Sequence, residues 1–284
     1  MRSKNKIRNR SPIGKFFLIV FVVCAVAFQI YPIFWIFMSS LKTSEDFITN
    51  PAYRLPEMLY FNNYIRVIFE SGMPRFFLNS VIVASITLLA LAFLGSLAGF
   101  ALSKMVFKGK NIIFLFFMAG ITIPIFVSLI PMFQIYNALG LRNTYISLIL
   151  PQVGFGIPIS MFLYMGFMDF IPSEMEESAY LDGATPFTVY RKIIMPMSTN
   201  ATITVLTFNF VMVWNEYTFA HTFISQSAMR TLPIGLTDFL RGMGMRDWGQ
   251  TFAAISVSIL PTLIIYFILN DKIMGGMTAG AVKG

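Results

Sequence analysis

The chain has 284 residues, of which 56% are hydrophobic and only 12% charged, with a net charge of +8. Soluble domains carry about 25% charged residues, so half that share excludes water as the main solvent. The positive balance does not point to nucleic acid: six of the 21 basic residues (Arg2, Lys4, Lys6, Arg8, Arg10 and Lys15) precede the first apolar run, where basic residues orient a membrane protein and attract anionic lipid.

Six runs lack any Asp, Glu, Lys or Arg: residues 16–41, 76–103, 111–141, 143–168, 193–215 and 248–270. A helix needs roughly 20 residues to cross the hydrocarbon core, and every run reaches that length. Membrane β-barrels would instead alternate in segments of about 10 residues. The expected fold class is therefore an all-α integral membrane protein with six transmembrane helices. Residues 1–15 form a basic tail. Run 16–41 is too long for a secretory-signal core of about 7–15 residues and is not followed by a small-residue cleavage pattern, so it is expected to remain as the first span. Cys24, the only cysteine, lies in that run, which leaves no intrachain disulfide or thiolate metal cluster. With both termini in the cytoplasm, 13 basic residues fall inside and eight outside, the bias that positive-inside topology favours.

Segment 42–75 is then external. Asn62 is expected to cap a short interfacial helix carrying Tyr64, Ile65, Ile68 and Phe69 at helical spacing. The core, 76–273, holds the other five spans. Gly95 and Gly99, with Ala92 and Ser96 beside them, allow two helix backbones to approach closely, either within the chain or against a partner. Pro124, Pro131, Pro151, Pro158 and Pro261 each remove an intrahelical hydrogen bond and predict kinks.

The loop at 169–198 is acidic, with Asp169, Glu174, Glu176, Glu177 and Asp182 against Arg191 and Lys192. Ser173 and Glu176 have the spacing of a capping box. The helix they open is expected to run to about Asp182 and stop at Gly183, a residue favoured at a left-handed C-terminal cap. Thr185–Pro186 then opens a second helix with a cap residue and a proline in its first position. The product is helix, glycine corner, helix. It either lies on the bilayer or docks on a partner.

Glu216 is expected to be the only carboxylate inside a predicted span, the fifth. A charge near the bilayer centre costs roughly 2.5–3.5 kcal/mol on insertion scales, so it should face protein or water. With Asn209 and Asn215 it forms a set of translocation-path candidates; the competing reading makes Glu216 a structural hydrogen-bond partner. His221, the only histidine, argues against a histidine metal site. A phosphate-binding loop, a zinc-protease motif and a nucleophile elbow are absent from the sequence, so no catalytic residue and no cofactor of its own are expected.

The stretch E-S-A-Y-L-D-G-A at 177–184, followed by I-I-M-P at 193–196, resembles the EAA loop of ABC-importer permeases. Ser178 replaces the first alanine of that pattern, at its second position, and Met195 its leucine. W-N-E-Y at 214–217, the ending G-M-T-A-G-A-V-K-G at 276–284 and S-L-K-T at 40–43 are similar to the MalG-like branch of carbohydrate importers. The resemblance covers essentially the whole chain and implies the type I ABC-importer permease fold. It further implies that Glu177, Ser178, Ala179, Leu181, Asp182, Gly183 and Ala184 form a coupling helix seated in a cleft of an ATPase subunit, with a short cytoplasmic tail at 274–284. Implied partners are a second homologous permease subunit, two ATPase subunits that bind ATP and Mg, and an extracytoplasmic solute-binding protein at a bacterial cell membrane. The substrate class implied is a sugar or oligosaccharide. The alternative is an ion-coupled secondary transporter, which would need ionisable residues at the midplane and repeated halves.

Overall fold

Prolines and turn residues, more than the length of the apolar runs, decide where the helices of this chain begin and end. The computed structural model describes residues 12–240 and 247–281, with side chains as far as Leu269. The basic tail through residue 11, Arg241, Arg246 and the side chains of the 276–284 ending lie outside the described residues.

The described residues form helices and loops only. In chain order the helices are α1 (Pro12–Ser39), α2 (Ser44–Thr49), α3 (Asn62–Ile65), α4 (Met73–Lys104), α5 (Lys110–Thr122), α6 (Ile125–Ala138) and α7 (Ile146–Met168). They continue with α8 (Glu174–Leu181), α9 (Pro186–Val189), α10 (Thr199–Trp214), α11 (Thr218–Phe223), α12 (Leu232–Leu240) and α13 (Trp248–Ala281).

Among the described residues, α1, α4, α7 and the Trp248–Leu269 part of α13 are long and apolar enough to cross a membrane. The remaining two expected spans depart from the prediction. Run 111–141 is broken into α5 and α6, bent by 95°. The break sits at Ile123, which is extended (φ −74°, ψ 116°), because the ring of Pro124 disfavours helical geometry in the residue before it. Run 193–215 loses its first turns to a π turn at Tyr190–Ile194 and the short Met195–Met197 helix, leaving 16 residues in α10, about 24 Å long. Helix length and composition alone thus support four spans, or five if the bent pair counts as one. Pro131, Pro151, Pro158 and Pro261 lie inside continuous helices.

Two compact units divide the chain: Met1–Ser71 with Phe239–Val257, and Gly72–Asp238 with Ser258–Gly284. In the first, Asn63 is buried and donates to the carbonyls of Ser40 (2.9 Å) and Lys42 (2.8 Å). Thr43 and Asp46 form a capping box on α2. Phe252 packs edge-on against Trp35 and face-on against Phe47, and Arg66 pairs with Asp247 at 3.1 Å. Asn62 opens α3 as a helical residue and does not cap it; Phe61 holds the cap position without a side-chain bond. The amide of Asn62 goes to Tyr60 Oη instead.

The second unit is organised around α4, α7 and α10. The close approach that the small residues predict occurs within the chain. A Cβ on Gly95 would stand 2.8 Å from Ser160 Cβ, and one on Gly99 2.7 Å from Tyr164 Cβ, below any normal carbon–carbon contact. Ser96, beside them, bonds the Tyr190 hydroxyl at 2.7 Å in a buried setting. At the foot of this bundle, Phe100, Tyr164, Met168, Val189, Ile194 and Val205 share one apolar cluster.

Candidate functional site

Two features of the second unit bring chemistry-bearing residues together. The first is the acidic loop. Helix α8 ends at Leu181; Gly183 is left-handed at φ +80°, a conformation that costs little only without a Cβ. Gly183 N donates to Tyr180 O at 3.0 Å and Ala184 N to Ala179 O at 2.9 Å, the paired bonds of a Schellman cap. Thr185 is extended and accepts from Thr188 N at 3.3 Å, with Pro186 in the first turn of α9. Helix, glycine corner and helix therefore stand where local signals put them.

The start of α8 does not follow its signal. Ser173 is helical and caps nothing. The Glu176 carboxylate, which a capping box would turn back on Ser173, pairs with Lys104 Nζ at 3.0 Å. Lys104 closes α4 and also donates to Ile171 O at 2.6 Å. Both side chains are almost fully buried, and leaving the buried Lys104 charge unpaired would cost more than the one exposed cap bond that Glu176 forgoes.

Burial splits the seven residues expected to couple. Ala179 and Ala184 pack inward against the cluster beneath the loop. Glu177, Ser178, Leu181, Asp182 and Gly183 face outward. Leu181 is 90% exposed, with Phe187 of α9 also exposed. An apolar tip ringed by carboxylates is what the loop offers to its surroundings.

The second feature is the Trp214–Asn215–Glu216 corner. Trp214 Nε1 donates to Ser258 O of α13 at 3.1 Å and its ring stacks on Phe210. Asn215 ends α10, and its exposed amide returns to Val211 O at 2.8 Å. Glu216 follows the helix end instead of lying within a span. Its Oε1 accepts from Phe219 N at 2.6 Å and its Oε2 from Ala220 N at 3.1 Å, so it caps α11, where the positive end of the helix favours a carboxylate.

Beside this corner a cavity of about 510 Å³ opens between α5, α6, α7, α10 and α11. Asn209 and Glu216 both line it, together with Gln152, while Asn215 does not. Phe155, Phe208 and Phe219 supply aromatic wall. Gln152 escaped the sequence reading. Its signal was there: it is the single amide within the apolar body of run 143–168, next to Pro151. His221 stacks on Tyr217 and is exposed. Among the described residues, no group of three or more His, Cys, Asp or Glu could hold a metal ion.

Residues 91–274 match the family described as binding-protein-dependent transport system inner membrane component. A Bacillus subtilis protein described as probable ABC transporter permease protein YurM is 34% identical over 281 residues, covering 99% of this chain and 93% of its own. The trehalose/maltose transport system permease protein MalG of Thermococcus litoralis is 30% identical over 270 residues, covering 94% of this chain and 96% of its own. A solved bacterial ABC transporter involved in import of the acidic polysaccharide alginate contains a chain that superposes with a TM-score of 0.79 at 20% identity, covering 92% of this chain and 98% of that one.

Proposed function

We propose that this chain, which belongs to the family of binding-protein-dependent transport system inner membrane components, is a permease subunit of an ATP-binding-cassette sugar importer. It would form half of the transmembrane path and couple it to a separate ATPase. The observation that carries this reading is the helix–glycine–helix corner: an exposed Leu181 tip on a loop whose inner face is fastened to α4 by a buried ion pair. The sugar class is supported by the relative described as a trehalose/maltose permease.

The finer topology follows from the same reading. The bent α5–α6 pair serves as one broken span and α10 as a short one, completing six, with both termini in the cytoplasm of a bacterial cell. The coupling loop at 169–198 then projects on that side. A second, related permease subunit completes the path, and an extracytoplasmic binding protein delivers the sugar. Two ATPase subunits hold ATP and Mg; this chain contributes no catalytic residue and no cofactor. When they close on ATP, the push reaches α8 through Glu177, Ser178, Leu181, Asp182 and Gly183. Ala179, Ala184 and the Lys104–Glu176 pair pass it to α4, α7 and α10, because close-packed interiors transmit displacement instead of absorbing it.

The test is co-purification with the ATPase subunits, combined with uptake of labelled maltose, trehalose and cellobiose into proteoliposomes. Leu181→Asp is expected to abolish both association and uptake while leaving the permease folded. If both survive, the coupling role is wrong. Uptake that needs no ATP and collapses with the proton gradient would replace this reading with an ion-coupled transporter.

A further inference from the structure

We infer that the cavity beside Glu216 is a sugar subsite selective for charge: it takes neutral, hydroxyl-rich saccharides and rejects anionic ones such as uronates. The inference rests on the importer reading above and specifies the substrate class of its path.

The argument is an inventory of the polar atoms in the wall. Asn209 is buried, and its amide nitrogen is committed to Ser160 Oγ at 3.0 Å and Val205 O at 2.8 Å. What remains is its Oδ1, 3.4 Å from the point where a Cβ of Gly156 would stand, and Gly156 is itself part of the wall. Gln152 is 7% exposed; its Nε2 donates to Leu148 O at 2.9 Å, and its Oε1 lies buried behind the wall surface with no hydrogen-bond partner among the described residues. Glu216 accepts from the backbone N–H groups of Phe219 and Ala220. A carboxylate has about four acceptor sites, so capacity is left over. The wall residues include no Lys, Arg or His, and among the described residues Glu216 makes no ion pair.

Oxygen acceptors without a cation select donors. A sugar hydroxyl satisfies that wall, and the apolar face of its ring can lie against Phe155, which is half-buried in it. A cavity of 510 Å³ falls within the roughly 300–1,000 Å³ of small-molecule sites, which are mostly apolar with a few converging polar groups. A uronate brings a second negative charge beside Glu216, with no cation among the wall residues to offset it, and like charges in one pocket repel.

The experiment uses the complete complex in nanodiscs without binding protein and measures sugar binding by ligand-observed saturation-transfer NMR. The probes are maltose, cellobiose and trehalose against cellobiouronic acid. At least one neutral disaccharide is expected to bind at millimolar concentration, and the uronate at least about tenfold more weakly. Phe208→Lys changes a half-exposed wall residue, leaves the core intact and adds the missing cation; it is expected to raise uronate binding at least about tenfold. Equal binding of neutral and acidic sugars by the unmodified complex, binding of neither, or a Phe208→Lys variant that leaves the preference unchanged would each overturn the inference. The readout uses neither ATP nor uptake, so its failure is distinct from failure of the Leu181→Asp coupling test.

Discussion

Glu216 lies two residues beyond α10 and gives both carboxylate oxygens to the first backbone N–H groups of α11. Glu216→Ala leaves those donors without their acceptor and is expected to lower stability by about 1 kcal/mol, the usual cost of a lost helix cap. Glu216→Gln keeps one acceptor oxygen and should lose less. Thermal unfolding of the detergent-solubilised chain, read from Trp fluorescence, compares the two; equal losses would deny the capping role. The sequence marks Glu216 as unusual because it interrupts apolar surroundings. The run 193–215 ends one residue past Trp214, so the end of α10 is close to legible, but the short helix α11 that Glu216 serves has too few residues for a periodic signal. Gln152 illustrates the same limit. One amide in an apolar run has no motif, and its meaning comes from the helices that surround it.

At the scale of the element, the coupling loop divides cleanly into what was legible and what was not. Gly183 and Thr185–Pro186 act through their own backbone geometry, so their signals survive into the fold. Ser173 and Glu176 carry an equally local signal, and it loses to Lys104 from another helix. Lys104→Met strands the Glu176 carboxylate in a buried site and is expected to destabilise the loop by about 3–5 kcal/mol. Lys104→Met combined with Glu176→Met removes both charges and should recover most of that loss. Hydrogen exchange of the α8 amides checks it: fast exchange in the single variant, near-original protection in the double. A double variant as unprotected as the single one would mean that the pair itself, and not the orphaned charge, holds the loop.

At the scale of the whole molecule, the apolar runs and their charge-free lengths already indicate a membrane protein, and the fold class follows from them. The number of crossings does not, because a run free of charges can still be broken by Pro124 or shortened by a π turn. Family membership is legible from a loop motif, whereas the cavity depends on five helices converging and could not be read from spacing. The first helix makes the environment plain in another way. None of its apolar window is buried, and large side chains such as Phe21 and Phe28 are exposed, a surface suited to acyl chains or to a partner subunit.

The break at Ile123–Pro124 carries a consequence for hydration. A helix end leaves four carbonyls unpaired within the helix and a helix start four N–H groups, and here both meet at one bend. Hydrocarbon cannot solvate such groups, at a cost of several kcal/mol each, so bent backbone at membrane depth must touch protein or water. Ile121, Ile123 and Ile125, which flank the bend, line the cavity; water in that space is the expected partner of the freed groups. In a Cys24→Ser background, Ile123→Cys should react readily with a charged methanethiosulfonate, a reagent that needs an ionised thiol. Val20→Cys, on the exposed apolar face of the first helix, should stay inert. Equal inertness at both positions would mean that acyl chains, not water, fill the bend.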